Sequence, residues 1–272
     1  MLTSRSGGAL VRRSITATCR RPSYLLLDMD PTMTLAKHEL TAMQTQIDAV
    51  TSYDVRYEGA AGDIIAERKQ HIIDSWVHDS GWSKRTRDRN YDTTPDFVRL
   101  TAQFQSLAKL DQFTRAVEIG CGDGKYLAYL RGLGGTSISD WIATDLDGER
   151  LRGARTENLE VVIEAADILE CAARYNRPGT LFLAANVMGN IAPDDIYAFF
   201  KQLTVPNTGL VLLAAGLSLE STKPFALRGN GIAFDHNYFE LLRASTLLCQ
   251  HYEVNYDGNG VGYWIAAATP RI

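Results

Sequence analysis

The segment Ala116-Val117-Glu118-Ile119-Gly120-Cys121-Gly122-Asp123-Gly124-Lys125 constrains this chain more than any other. Ala116, Val117 and Ile119 read as a buried strand that leads, past Glu118, into three alternate glycines, and a helical pattern follows from Lys125 to Arg131. Such a strand-to-helix turn is built for a ligand. Glycine lets the backbone approach a bound group and adopts φ > 0 without steric cost. The helix that follows offers free N–H groups and a positive dipole end. A glycine triplet alone leaves several ligands open, but the spacing E-x-G-x-G-x-G matches neither G-x-G-x-x-G nor the P-loop pattern G-x-x-x-x-G-K-[ST].

The chain around this turn alternates. Strands are expected at Ala116–Ile119, Trp141–Thr144, Glu160–Glu164, Thr180–Ala185 and Leu210–Ala215, and helices at Lys125–Arg131, Gly148–Arg155, Ile168–Tyr175, Pro193–Leu203 and His236–Leu248. That order implies a parallel sheet with helical crossovers. Two further β-like runs, Tyr252–Tyr256 and Val261–Ala267, flank Asp257-Gly258-Asn259-Gly260, which is hairpin chemistry. Upstream, apolar spacing predicts helices over Met33–Val50 and Asp63–Val77, and Pro95 opens a third that runs to about Leu110, with Thr94 at its N-cap.

The glycine turn resembles the first motif of the class I S-adenosylmethionine (SAM) dependent methyltransferases, and the resemblance extends over about residues 96–270. It implies a Rossmann-like, doubly wound α/β sheet of seven strands, parallel except for a C-terminal antiparallel hairpin strand. An N-terminal helical extension over 33–95 would act as a lid on the domain spanning 96–272. The cofactor implied is SAM, with S-adenosyl-L-homocysteine (SAH) as product. In that family Glu118 reaches the cofactor's ammonium, and Gly120, Cys121, Gly122 and Gly124 pass beneath its methionine and ribose. The acid ending the second strand, Asp145, followed by Leu146, accepts both ribose hydroxyls, a task suited to a carboxylate with two acceptor oxygens. Asp147 is the alternative, and Asp145 also reads as a turn residue or helix cap. Asp167 would accept from the adenine amino group, with Ile168 beside it, although an N-cap is an equal reading of Asp167 alone.

After the fourth strand stands Asn186-Val187-Met188-Gly189-Asn190-Ile191-Ala192-Pro193; the resemblance implies that this segment meets both cofactor and substrate, which makes Asn186 a candidate for cofactor contact and catalysis. It lacks the [DN]-P-P-[FYW] signature of amino methyltransferases acting on adenine, cytosine or glutamine amides. Locally it is similar to the G-N-[IFL]-x-P turn of histidine-specific N-methyltransferases, which raises a small amine as substrate. A hydroxyl acceptor needs a base. His236, with Tyr238 beside it, is the candidate, because Phe234-Asp235-His236-Asn237-Tyr238 resembles a motif of some sugar O-methyltransferases; helix capping by Asp235 and His236 is the competing reading.

Composition bounds the remaining classes. A chain of 272 residues with net charge −4 is an ordinary globular protein and argues against tight non-specific nucleic-acid binding. The basic run Lys84, Arg85, Arg87, Arg89, flanked by Trp82 and Tyr91, reads as a solvated loop or part of a lid, since Asp88 and Asp92 interrupt it. Four scattered cysteines form no C-x-x-C pair, no histidine has metal-ligand spacing, and no apolar run reaches the ~18 residues of a membrane span. No metal and no membrane partner are expected. Residues 1–32 form a tail or targeting segment: the first 27 carry five arginines and no acid, which resembles a mitochondrial transit peptide. The expected location is the cytoplasm, or the mitochondrial matrix for a eukaryotic source. The reading is a monomeric or homodimeric methyltransferase acting on O or N of a small molecule. An RNA or protein methyltransferase, and a SAM-binding protein that does not methylate, are the competitors.

Overall fold

A computed structural model of the chain describes residues 37–53, 57–78, 91–146, 149–157, 161–228, 233–245, 247–256 and 261–270. The segment 1–32, the basic run Lys84–Arg89 with Trp82, Asp147, and the turn Asp257–Gly260 lie outside the described residues.

Among the described residues three helices come first: α1 (Lys37–Ile47), α2 (Gly59–His78) and α3 (Pro95–Ala108). The alternating units follow as β1 (Arg115–Ile119), α4 (Lys125–Leu133), β2 (Asp140–Asp145), α5 (Glu149–Glu157), β3 (Val162–Ala165), α6 (Ile168–Tyr175), β4 (Thr180–Ala185), α7 (Pro193–Gln202) and β5 (Gly209–Leu217). The chain ends with β6 (Phe225–Leu227), β7 (Phe234–His236), α8 (Tyr238–Ala244), β8 (Leu247–Tyr256) and β9 (Val261–Pro270). Strands pair in the order β3-β2-β1-β4-β5, all parallel, and β9 lies antiparallel between β5 and β8. This is the expected parallel sheet closed by an antiparallel hairpin.

Among the described residues the sheet has nine strands rather than seven. The addition is a short antiparallel ribbon, β6–β7, which touches the C-terminal end of β5 through Gly216 and His236. His236 therefore belongs to a strand, and the helix expected from His236 to Leu248 is confined to Tyr238–Ala244. Asn237 caps it by accepting from the Glu240 N–H at 3.2 Å, and the Ser245 N–H closes its last turn. Beyond that, Leu247 already pairs with β9, so strand pairing replaces helix.

The pleat sorts the core into two layers. Val117, Ile119, Phe182, Ala184, Leu210 and Leu212 face one side, with Ile168, Phe199 and Leu241 of the covering helices. Ala116, Leu181, Leu183, Val211 and Leu213 face the other, against Phe97, Leu100 and Phe104 of α3 and Leu127 of α4. Parallel strands buried on both faces read as continuous apolar runs, which is why β4 and β5 show no polar alternation. Glu118, Thr144 and Asp145 bring buried polar groups to the carboxyl ends of β1 and β2, where the crevice of an open α/β sheet lies. No described helix is long and apolar enough to cross a membrane.

Candidate active site

The turn after β1 is held by its neighbours before any ligand arrives. Gly120, Gly122 and Gly124 have φ of +64°, +61° and +72°, values that non-glycine residues rarely adopt. At Gly120 there is a second requirement: a Cβ would sit 2.2 Å from Cγ2 of Val187, in the turn after β4. Glycine there is needed by the approach of another loop, in addition to any ligand. The Cys121 N–H donates to the Thr144 carbonyl at 2.9 Å, and the Thr144 hydroxyl donates to the Glu118 carbonyl at 2.9 Å, so the ends of β1 and β2 are tied together.

Asp145 completes this join. One carboxylate oxygen accepts from the Gly122 N–H at 2.6 Å and the other from the Leu146 N–H at 2.8 Å. The two N–H donors fix the plane of the carboxylate, an acceptor-only group whose two oxygens suit a vicinal diol. Glu118 contrasts with it. Its side chain is buried, its Oε2 has no hydrogen-bond partner, and burial, reinforced by Asp123, pushes its carboxyl well above the usual range despite a bond from the Leu127 backbone. A buried, half-satisfied carboxyl at a cavity floor is matched by a cationic ligand. Asp167 is the N-cap of α6: its side chain accepts from the Glu170 N–H at 2.8 Å, and the Glu170 carboxylate accepts in return from the Asp167 N–H. Capping and cavity lining thus coincide in one residue, with Ile168 next to it.

These groups surround one cavity of about 310 Å3 at the carboxyl end of the sheet, lined by Glu118, Gly120, Cys121, Gly122, Asp145, Leu146, Asp167, Ile168 and Asn186, among others. Gly124 is set back as the left-handed N-cap of α4. Asn186 has φ +61°, a left-handed conformation uncommon outside glycine, and its N–H donates to the Leu213 carbonyl at 2.7 Å. The turn from Val187 runs through a short 3-10 segment, Met188–Asn190, and brings Asn190 and Ile191 to the cavity wall.

His236 and Tyr238 do not join this group. His236 is fully buried, its Nε2 3.0 Å from the Ile191 carbonyl and its Nδ1 3.2 Å from the Tyr53 hydroxyl. Burial, with Arg228 adding to it, lowers its pKa to about 3 against the backbone bond. The imidazole is therefore neutral at physiological pH, donating to Ile191 and accepting from Tyr53, which in turn accepts from the Asn237 N–H. Tyr238 is buried against Gly216 and donates to the Ala215 carbonyl. Neither lines the cavity, and both serve as pins behind its wall. The base role expected for His236 is not what this geometry provides.

The roof of the cavity carries no sequence motif. Lys69, Ile72, Ile73 and Trp76 of α2 line the cavity, and the Lys69 ammonium lies 2.7 Å from Asp195 in the first turn of α7. Burial works against the Lys69 charge, yet Asp195 outweighs it and raises the pKa; Asp195 itself is raised because burial exceeds the lysine's pull. Tyr91, Phe97 and Tyr126 form an adjoining aromatic wall, with ring centroids 4.9–5.2 Å apart. Only the three-to-four spacing of Ile72, Ile73 and Trp76 hinted at this face, and that spacing equally describes core. Among the described residues no group of three or more His, Cys, Asp or Glu could hold a metal ion.

Solved structures share this architecture. The geranyl diphosphate C-methyltransferase of Streptomyces coelicolor A3(2), in complex with Mg2+, geranyl diphosphate and SAH, superposes with a TM-score of 0.54 at 11% identity, over 75% of this chain and 98% of that one. A geranyl diphosphate methyltransferase in complex with SAM does so with a TM-score of 0.52 at 13% identity, covering 71% and 92%. The chain has the class I SAM-dependent methyltransferase fold. No family model and no curated protein matches the sequence. Against this fold, the strands β3-β2-β1-β4-β5-β9-β8 are the seven of the methyltransferase sheet, and the β6–β7 ribbon is the addition.

Proposed function

We propose that the protein is a SAM-dependent methyltransferase acting on an O or N atom of a small molecule. The observation that carries this reading is the row Glu118, Asp145 and Asp167, presented by the ends of three adjacent parallel strands to a single cavity. The residues fit the cofactor. The unpartnered Oε2 of Glu118 would receive the methionine ammonium, directly or through water, the carboxylate of Asp145 the ribose diol, and Asp167 the adenine amino group, with Leu146 and Ile168 against the ring. SAM supplies a methyl group on a sulfonium, ready for in-line displacement.

The chain's contribution is then position and exclusion of water. The strap from Asp145 to Gly122 fixes the cofactor loop, Asn186 is held in its left-handed conformation between cofactor and substrate, and α2 roofs the cavity with Ile72, Ile73 and Trp76. Alignment of nucleophile, methyl and sulfur in a dry site accounts for a large part of such a rate enhancement. The similar structures named above act on geranyl diphosphate; that supports a small-molecule substrate for this fold without passing their substrate to this chain. Incubation with [methyl-3H]SAM and a whole-cell extract tests the reading: label is expected in the small-molecule fraction. Label in acid-insoluble RNA or protein would favour a macromolecular substrate, and binding without transfer a non-methylating SAM protein.

A further inference from the structure

The cofactor cavity occupies the carboxyl ends of the strands, and a second, more open cavity of about 640 Å3 lies at their amino ends. Arg115, Asp140 and Val162, the first residues of β1, β2 and β3, line it together with Arg131 of α4, Arg174 of α6 and Arg177 in the loop before β4. We propose that this cavity is a second ligand site, separate from the methyl-transfer site, which takes the phosphate group of a small molecule on Arg115, Arg131 and Arg177.

The charge of the lining points to an anion. Four arginines stand there against two carboxylates, Asp140 and Glu164, in a chain whose net charge is −4. A local excess of that sign, against the average of the molecule, attracts negative ligands. Both carboxylates are already occupied. Asp140 accepts from Arg115 at 2.9 Å, while Glu164 lies 3.6 Å from Arg174 and accepts from the Tyr175 hydroxyl. The guanidinium groups of Arg131 and Arg177 have no ion pair or hydrogen bond among the described residues. Arg115 adds a second sign of a ligand: its Nε is buried and unpartnered although its Nη2 holds Asp140. A buried donor without an acceptor is rare and calls for a partner. Arg131 and Arg174 stand in the last turns of α4 and α6, where the helix dipole favours a cation. That accounts for two of the four charges and leaves Arg115 and Arg177, which lie outside helices, unexplained.

The chemistry narrows the anion to phosphate. A guanidinium presents a planar fork of N–H donors, and a phosphate group has enough oxygens to be shared among several forks, where a carboxylate has two. An acidic peptide adding to the sheet is the competing occupant, because β3 is an edge strand paired only with β2. The outer carbonyls of β3 are closed to it: Arg155 donates to Ile163 at 3.1 Å and Arg174 to Ala165 at 3.1 Å. The size of the cavity suits a small molecule, and Ile142 with the exposed Val162 offers an apolar body a place to rest.

Isothermal titration of the full chain with inorganic pyrophosphate and with uridine diphosphate, each with and without saturating SAH, tests the site. Binding is expected at one site per chain, unchanged by SAH, and about tenfold weaker when salt is raised from about 0.05 to about 0.5 M. Tighter binding of uridine diphosphate marks the ligand as an organic phosphate and tighter binding of pyrophosphate as an inorganic one; either supports the site. Arg131→Gln combined with Arg177→Gln, both at exposed positions, should weaken pyrophosphate about a hundredfold, as expected for two charge-assisted hydrogen bonds, and leave SAH affinity within about twofold of wild type. Arg177→Lys, which keeps the charge without the fork, should fall between wild type and the double variant. The proposal is overturned if neither anion binds at millimolar concentration, if the double variant keeps wild-type affinity, or if SAH weakens pyrophosphate, which would put the anion in the cofactor cavity. Binding of polyuridylate alone overturns it as well, since that marks a nucleic-acid surface. A chain that binds no SAH defeats the cofactor assignment and leaves this test intact, because the arginine variants locate the anion by themselves.

Discussion

With its carboxyl buried and one oxygen unpartnered, Glu118 holds its proton more tightly in the folded chain than in the unfolded one. The folded state thus binds more protons, and this residue's contribution to stability declines as pH rises above the ordinary carboxyl range, about 4.5. Glu118→Gln should raise the thermal midpoint of the ligand-free protein at pH 8 while weakening SAH about tenfold or more, the cost of a lost charge-assisted contact; scanning calorimetry and SAH titration on the same variant check both. His236 has the opposite sign. Its folded pKa, about 3, lies below the unfolded value, 6.5, so its contribution is complete above pH 6.5 and is lost as pH falls towards 3. In denaturant melts between pH 6.5 and 5, His236→Asn should flatten the acid loss of stability by up to ~1.4 kcal/mol per pH unit, the slope of one proton. Glu118 stabilises over part of the same window, so the comparison is cleanest in the Glu118→Gln background. A wild-type slope in the variant would remove His236 as the acid-sensitive pin.

The turns after β1 and β4 approach each other closely. Gly120→Ala would impose both a left-handed Cα on alanine and a contact at 2.2 Å with Val187, so a loss of about 2–4 kcal/mol is expected in urea unfolding. Val187→Ala in the same chain should restore only part of the loss, because the Cβ of residue 187 would itself lie 2.7 Å from the new methyl and the backbone cost remains. The glycine motif itself, Asp145, Asp167 and the five βα units were legible because each needs a residue type at a spacing: apolar runs for strands buried on both faces, glycine for positive φ, an acid at a strand end. The β6–β7 ribbon was not. Phe225–Leu227 and Phe234–His236 are three residues each, too short for a period, and their place is set by Tyr238 lying against Gly216. His236 was misread for the same reason, since its partners Tyr53 and Ile191 are remote in sequence. Lys69 and Asp195, 126 positions apart, were hidden likewise.

Across the whole molecule, the sheet supplies a floor of fixed polar groups and α2 supplies a separate apolar roof, joined to α7 by the half-exposed Lys69–Asp195 pair. A pair so exposed is worth under ~1 kcal/mol, so Lys69→Ala should speed SAH dissociation by up to about fivefold in stopped-flow, and added salt should narrow the gap between variant and wild type. An unchanged, salt-independent rate would show that the roof closes by apolar contact alone. The central claim concerns the floor, and isothermal titration with SAH addresses it most directly. Wild-type protein is expected to bind with one site per chain, and Asp145→Ala, which removes both the strap to Gly122 and the diol acceptor, to bind about a hundredfold more weakly or not at all, as expected for two charge-assisted hydrogen bonds. No SAH binding by a folded wild-type chain, or undiminished binding by Asp145→Ala, would contradict the account.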